Sequence, residues 1–387
     1  MHKCIGCFIL REKRRYPILQ YVKNFIRKEK VLCIAALCAL ISMIFVPPCA
    51  AYADYIDWRV LGLLWCLMAV VAGFRTSGVF DTVTYVLLTK NRGGTKMLSV
   101  LLVLLPFFVS MAVTNDVALI AFVPFTIELL TAAGCEGAII PMLVLQTLAA
   151  NLGSMATPVG NPQNLFLFGY YELTAAQFFE TLLSLTLLSL VALSLAALPV
   201  LPKKMPTPHL RAPEELKKSL WLYLALFALC LLAVVRIVPW YAAFVLVLFA
   251  LVCTDCKLLR EPDYALLLTF VCFFVFSGNL GQIPAVSNAL RMLLQRNTLL
   301  TAVLTSQFIS NVPAAVLLAP FTQDWRGLLL GVDIGGLGTP IASLASLITL
   351  KFYMALPHAK PLRYLAVFTA ACAAGLALLL SAAAILF

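Results

Sequence analysis

The chain has 387 residues, of which 63% are hydrophobic and only 12% charged, with a formal charge of +11. Soluble domains carry about 25% charged residues, so this balance points to lipid and leaves nothing over for a sizeable soluble domain. The basic excess sits in short loops and in the first 30 residues, which is the footprint of membrane orientation and not of a nucleic-acid-binding face.

In chain order, residues 1–30 lack the long apolar core and the small-residue cleavage pattern of a secretory signal. Residues 16–30 read as a basic amphipathic lead-in on the cytoplasmic face. Spanning helices are expected at 31–50, 58–74, 176–200, 219–236, 239–254, 264–280 and 362–386, because such runs match a hydrocarbon core about 30 Å thick. Other apolar stretches have the wrong length for one crossing. Residues 298–321 form two arms of about a dozen residues around Ser310-Asn311, each reaching about 18 Å. A helical hairpin that enters and leaves by one face fits, and 97–130 repeats the pattern around Thr114-Asn115-Asp116 with longer arms. Residues 139–169 and 326–356 are too long instead, at roughly 46 Å as straight helices. Each carries a Gly/Pro/Thr-rich break, "NLGSMATPVGNPQN" (151–164) and "DIGGLGTPIASLAS" (333–346). Non-helical backbone survives at membrane depth only where protein or a water-filled cavity satisfies it.

These pieces repeat. "TNDVALIAFVPFT" (114–126) aligns with "SNVPAAVLLAPFT" (310–322), and 151–165 aligns with 333–347. The polar linker 202–219 separates a first half, 31–201, from a second, 220–387. With the N-terminus inside, the segments 1–30, 75–96, 201–218, 255–263 and 351–363 hold 23 of the 28 Lys and Arg residues, leaving Arg59, Arg236, Arg291, Arg296 and Arg326. The bias supports that orientation and gives the two halves inverted topology. The fold class expected is therefore an all-α polytopic membrane protein. Its two inverted repeats each contain a re-entrant hairpin and a discontinuous helix, the arrangement of many secondary transporters.

At a hairpin tip the second arm starts with free N–H groups and the positive end of its dipole. Thr114 or Asn115, and Ser310 or Asn311, are favourable N-cap types, and two such ends make a natural anion site. In the breaks, Gly153, Gly335 and Gly336 let carbonyls turn inward to hold Na⁺, Thr157 and Thr339 offer hydroxyls, and Pro158 and Pro340 remove donors. Asp116 and Asp333 are carboxylates inside the membrane region, where ionisable groups are costly and functional. Each could bind a cation or carry a proton. No Lys or Arg falls mid-crossing, so an anion would rely on helix ends and a co-bound cation. Asp116 would repel it unless neutralised. His2, His209 and His358 lie outside the core, and no metal pattern, phosphate loop or nucleophile triad is present. Cys4-x-x-Cys7 and Cys253-x-x-Cys256 flank no His pair, and the cysteines read as small hydrophobes. An enzyme, a metal centre or a bound cofactor is not expected.

At these residues the chain resembles the ion transporter superfamily: divalent anion:sodium symporters, citrate carriers, arsenite permeases and sodium/proton antiporters of the NhaD type. The resemblance covers nearly all of 31–387. It implies that the tips Thr114-Asn115-Asp116 and Ser310-Asn311-Val312 bind substrate and coupling ion. The breaks Gly153–Asn164 and Gly335–Ser346 join them, with Asn161, Asn164 and Ser343 among their residues. The anion symporters carry Ser-Asn-Thr at each tip; here Asp116 and Val312 replace the final Thr. "ND", "NVP" and "GVDIGGLGTPIASLAS" look more like the arsenite-permease branch. The function expected is transport of a small anion, citrate or a related carboxylate, coupled to Na⁺ or H⁺ across a bacterial-type inner membrane. Arsenite efflux and Na⁺/H⁺ antiport are the alternatives within transport, and a channel or membrane receptor is the alternative outside it. A homodimer is expected by analogy alone.

Overall fold

Helix starts are written locally. In the computed structural model, which describes residues 29–49, 52–89, 94–203 and 217–386, Asp57 and Asp263 each accept a hydrogen bond at 2.9 Å from the N–H three residues on. Such caps satisfy donors that a first helical turn leaves free. Among the described residues all regular structure is helical: α1 (Lys30–Phe45), α2 (Trp58–Thr76), α3 (Val79–Thr89), α4 (Gly94–Ala112), α5 (Asn115–Ala132), α6 (Ile139–Ser154), α7 (Pro162–Tyr170), α8 (Ala175–Ala197) and α9 (Leu220–Val234). Then follow α10 (Trp240–Thr254), α11 (Tyr264–Gln282), α12 (Pro284–Arg296), α13 (Thr298–Ile309), α14 (Asn311–Leu318), α15 (Trp325–Gly335), α16 (Leu344–Met354) and α17 (Pro361–Leu386). A single turn, Tyr52–Tyr55, precedes α2. Most of the basic lead-in and most of the linker 202–219 lie outside the described residues.

The chain is an all-α polytopic membrane protein. Among the described residues, seven helical runs are long and apolar enough to cross a bilayer. Exposed apolar side chains such as Trp221, Phe308 and Ile385 coat the outside, where a soluble protein would place charge. Both breaks are present: α6 ends at Ser154 and α7 starts at Pro162, and α15 ends at Gly335 while α16 starts at Leu344. Three details differ from the sequence reading. Val46-Pro47-Pro48 stops α1 at Phe45, because a residue before proline is pushed out of helical backbone. The arms of the first hairpin, 19 and 18 residues, are each long enough to cross, whereas those of the second have 12 and 8. And 79–89 and 284–296, read as connecting segments, form the amphipathic helices α3 and α12; α3 has only 11 residues and α12 is diluted by polar ones, so neither stands out as a spanning run.

The order from α2 to α8 recurs from α11 to α17. A long helix is followed by an amphipathic one, two arms, a broken pair and a long helix. Packing recurs with it: α4 lies against α5 and α6 as α13 lies against α14 and α15. The two sets also exchange partners, with α7 on α14 and α16 on α5. Outside this core, α1 packs on α11, and α9 and α10 pack on α2. One packing device compensates a proline. Pro106 inside α4 has no N–H, so the Leu102 carbonyl loses its donor one turn on. The buried Gln146 of α6 replaces it, its Nε2 donating at 2.8 Å to that carbonyl and at 2.8 Å to Thr126 Oγ1.

Candidate functional site

Each hairpin tip is stitched to its own break. The Asn115 N–H donates to the Gly160 carbonyl at 3.2 Å, and the Asn311 N–H donates to that of Ala342 at 2.9 Å. The Asn115 side-chain oxygen turns back onto the Asp116 N–H at 2.9 Å, as that of Asn311 does onto the Val312 N–H at 2.9 Å. The break threonines complete the stitch. Thr157 Oγ1 donates to the Met111 carbonyl at 2.5 Å and Thr339 Oγ1 to that of Gln307 at 2.9 Å, each tying a break to the arm before its tip. Pro158 is buried and Pro340 half-buried within the same turns.

These bonds correct two expectations. Thr114 and Ser310 occupy the N-cap positions but make no side-chain cap. Two first-turn N–H groups at each tip are also taken, by a break carbonyl and the asparagine oxygen, and Pro313 removes the third at the second tip. Thr157 and Thr339 likewise spend their protons on backbone. Of the break carbonyls, that of Gly335 accepts from Gln307 Nε2 at 2.9 Å, and that of Gly153 from the Ala156 N–H at 3.0 Å. Gly153 is held to glycine by a close approach, since a Cβ there would stand 2.1 Å from the Phe107 carbonyl oxygen of α4.

The two sets meet through side chains. Asn151 Oδ1, on α6, accepts from Asn115 Nδ2 at 2.9 Å and from Ser343 Oγ at 3.0 Å, joining the first tip to the second break. The counterpart on α15 is Asp333, whose Oδ1 accepts from Gln163 Nε2 at 3.3 Å and Asn161 Nδ2 at 3.4 Å. Asn161 also caps α7 through the Asn164 N–H at 3.0 Å, so Asp333 faces the positive end of that helix. Three acceptor oxygens here are buried without a partner: Asp333 Oδ2, Asn164 Oδ1 and Asp116 Oδ1. A buried acceptor left unpaired is costly, and a proton or a bare cation would satisfy it. Sequence reasoning named Asn115, Asn161, Asn164, Ser343, Asp116 and Asp333. It passed over Asn151 and Gln163, which lie at the two ends of the first break, and Gln307, an amide in an otherwise apolar arm.

One cavity reaches this cluster, and a second lies against α7, α11 and α14. The first, of about 500 Å3, reaches the first tip at Thr114 and Asp116, and Glu29, Arg75, Glu261 and Asp263 line it further out. Arg75 is paired with Glu261 at 3.5 Å. The other, about 390 Å3, is lined by Tyr55, Asp57, Phe166, Phe274, Ser277, Gly278 and Val316. Part of their linings corresponds across the repeat, although the second has no counterpart of Thr114, Asp116 or Arg75. Met68, Val71 and Ala72 of α2 in the first stand where Phe274, Ser277 and Gly278 of α11 stand in the second. Ile120 matches Val316 on the second arms, Ile348 matches Phe166 on the half-helices, and Asp263 matches Asp57 at the caps.

The family described as "Citrate transporter" matches residues 8–325. The chain is 32% identical to the Uncharacterized transporter MJ0456 of Methanocaldococcus jannaschii over 76% of its own length and 81% of that protein's. It is 32% identical to Inner membrane protein YbiR of Escherichia coli, over 76% and 80% of the two chains. A shorter match, 33% identical over 30% of this chain and 23% of the other, is to the Silicon efflux transporter LSI3 of Oryza sativa subsp. japonica.

Proposed function

Because this chain belongs to the citrate transporter family and is a multi-pass membrane transporter, we propose that it moves a small solute by alternating access, coupled to H⁺ or Na⁺. The observation that carries this reading is a pair of cavities, one at the first tip and one against α7, α11 and α14, whose linings on the long helix, second arm and half-helix match across the repeat. If the two sets are inverted in the bilayer, as the Lys and Arg distribution implies, the cavities open to opposite faces. The larger one, beside Arg75 and Glu261, is then the cytoplasmic mouth. The hairpins are re-entrant and the N-terminus lies inside. Asp116, at the floor of that mouth, and Asp333, beneath α7, take the coupling proton or cation on their unpaired oxygens.

Charge reorders the solutes expected from sequence. Among the described residues, Asp116, Asp263 and Glu261 line the larger cavity, and its guanidinium, that of Arg75, is already paired with Glu261. A substrate carboxylate brought to about 6 Å from an ionised Asp116 costs about 3 kcal/mol at an effective dielectric near 20, roughly a hundredfold in occupancy. The Asn115 and Asp116 N–H groups, already bonded, offset none of that cost. We therefore place an uncharged oxyacid of the arsenite kind, or Na⁺ exchanged for protons, ahead of citrate. The efflux activity named for the rice relative agrees with export. Citrate or a dicarboxylate remains the second reading, supported by the family description, and requires Asp116 to be neutralised first.

Proteoliposomes decide between them. Flux of arsenite, Na⁺, citrate and succinate is compared under imposed proton or Na⁺ gradients. Arsenite or Na⁺ movement driven by a proton gradient is expected, and Asp116→Asn should leave flux that no longer responds to the driving ion. Gradient-driven citrate uptake with no arsenite or Na⁺ movement would restore the anion reading. Coupling that survives Asp116→Asn intact removes that residue from the mechanism.

A further inference from the structure

Away from the central cluster, the elbow between α16 and α17 carries His358, Lys360 and Arg363, all exposed. The three line a cavity of about 380 Å3 against the mouth of the first hairpin, where Glu136 is the one carboxylate among the described lining residues. No ion pair engages Lys360 or Arg363 among the described residues, and the first turn of α17 holds no acidic side chain. The elbow is held firmly. The Lys360 N–H donates to Tyr353 Oη at 2.9 Å, and the Tyr353 ring stacks on Tyr364 with centroids 5.0 Å apart. The floor is apolar, with Ile139 and Ile140 buried, and beside the cations Leu362 is 84% exposed and Met354 47% exposed. A soluble anion would give those two side chains no partner. A lipid supplies phosphate for the cations and acyl chain for the leucine.

We propose that this cavity binds the phosphate headgroup of an anionic phospholipid, with Lys360 and Arg363 on the phosphate oxygens and an acyl chain over Leu362 and Met354. Bound there, the lipid clamps the outer end of α16, whose inner end brings Ser343 to Asn151.

The test uses the full chain reconstituted in phosphatidylcholine, with or without phosphatidylglycerol. Melting is followed together with native mass spectrometry of lipid retained through purification. Phosphatidylglycerol should raise the melting temperature and be retained. K360Q/R363Q should abolish both effects, its apparent affinity falling about fivefold for each cation removed. K257Q/R260Q makes the same charge change at exposed positions elsewhere and should behave as the parent chain. Equal loss in the two double variants would mean unspecific surface charge, and full retention by K360Q/R363Q would empty the site; either overturns the proposal. Inorganic phosphate that protects as well in phosphatidylcholine alone would overturn the lipid as the source. Should K360Q/R363Q melt early without anionic lipid, the retained-lipid count decides.

Discussion

Gln146→Leu offers the sharpest test of the core, because the structure specifies both the damage and its repair. The substitution removes two 2.8 Å hydrogen bonds and leaves the Leu102 carbonyl buried without a donor, since Pro106 cannot provide one. Each net bond is worth about 1 kcal/mol and the orphaned carbonyl about 1–3 kcal/mol. Against this, Gln146 Oε1 is itself unpartnered, so deleting it returns about 1 kcal/mol or more. The balance is a loss of about 1–3 kcal/mol. Adding Pro106→Ala restores an N–H one turn from Leu102, so the double variant should be more stable than the sum of the singles by about 1 kcal/mol. Equilibrium unfolding in mixed micelles measures all four proteins. Pro124→Ala in α5, whose neighbourhood Gln146 does not serve with a backbone bond, is the control and should show no such rescue. Additivity of Gln146→Leu and Pro106→Ala within about 0.3 kcal/mol would refute the reasoning.

The remaining expectations are shorter. Asn151→Ala should cost about 2–4 kcal/mol by orphaning Asn115 Nδ2 and Ser343 Oγ, and a cycle with Ser343→Ala should show a coupling of about 1 kcal/mol in the same unfolding assay. Gly153→Ala pushes a methyl onto the Phe107 carbonyl and should destabilise by about 1–3 kcal/mol. Gly137→Ala meets nothing within 4 Å and should be close to neutral by thermal melting. In a background whose 12 cysteines are replaced, Ile120→Cys in the larger cavity and Tyr170→Cys in the smaller, both exposed, should react with a membrane-impermeant thiol reagent from opposite faces. Labelling of both from one face would contradict alternating access.

Much of this architecture is carried by short stretches of sequence. Apolar runs set where helices lie, Val46-Pro47-Pro48 ends α1, Asp57 and Asp263 start α2 and α11, and the Gly/Pro/Thr clusters at 155–161 and 336–343 interrupt two helices that would otherwise be too long. Each signal acts within a turn or two, through backbone propensity, capping and transfer to lipid, so it can be read without knowing the fold. Even so, α3 and α12 escaped, α3 because its 11 residues are too few to cross and α12 because polar residues dilute its apolar face in the average.

Tertiary structure alone decided which polar groups remain available. The tips advertise free N–H groups, yet Gly160 and Ala342, dozens of residues away in the chain, accept them. Two carboxylates looked alike, but folding turned Asp116 into a cavity and enclosed Asp333 beneath α7 with Asn161 and Gln163. Gln146 reads as an isolated amide until Pro106 is placed beside it. The physical reason is common to all of these. A hydrogen bond or a Coulomb contact depends on separation in space, and only packing brings together partners that the chain keeps far apart.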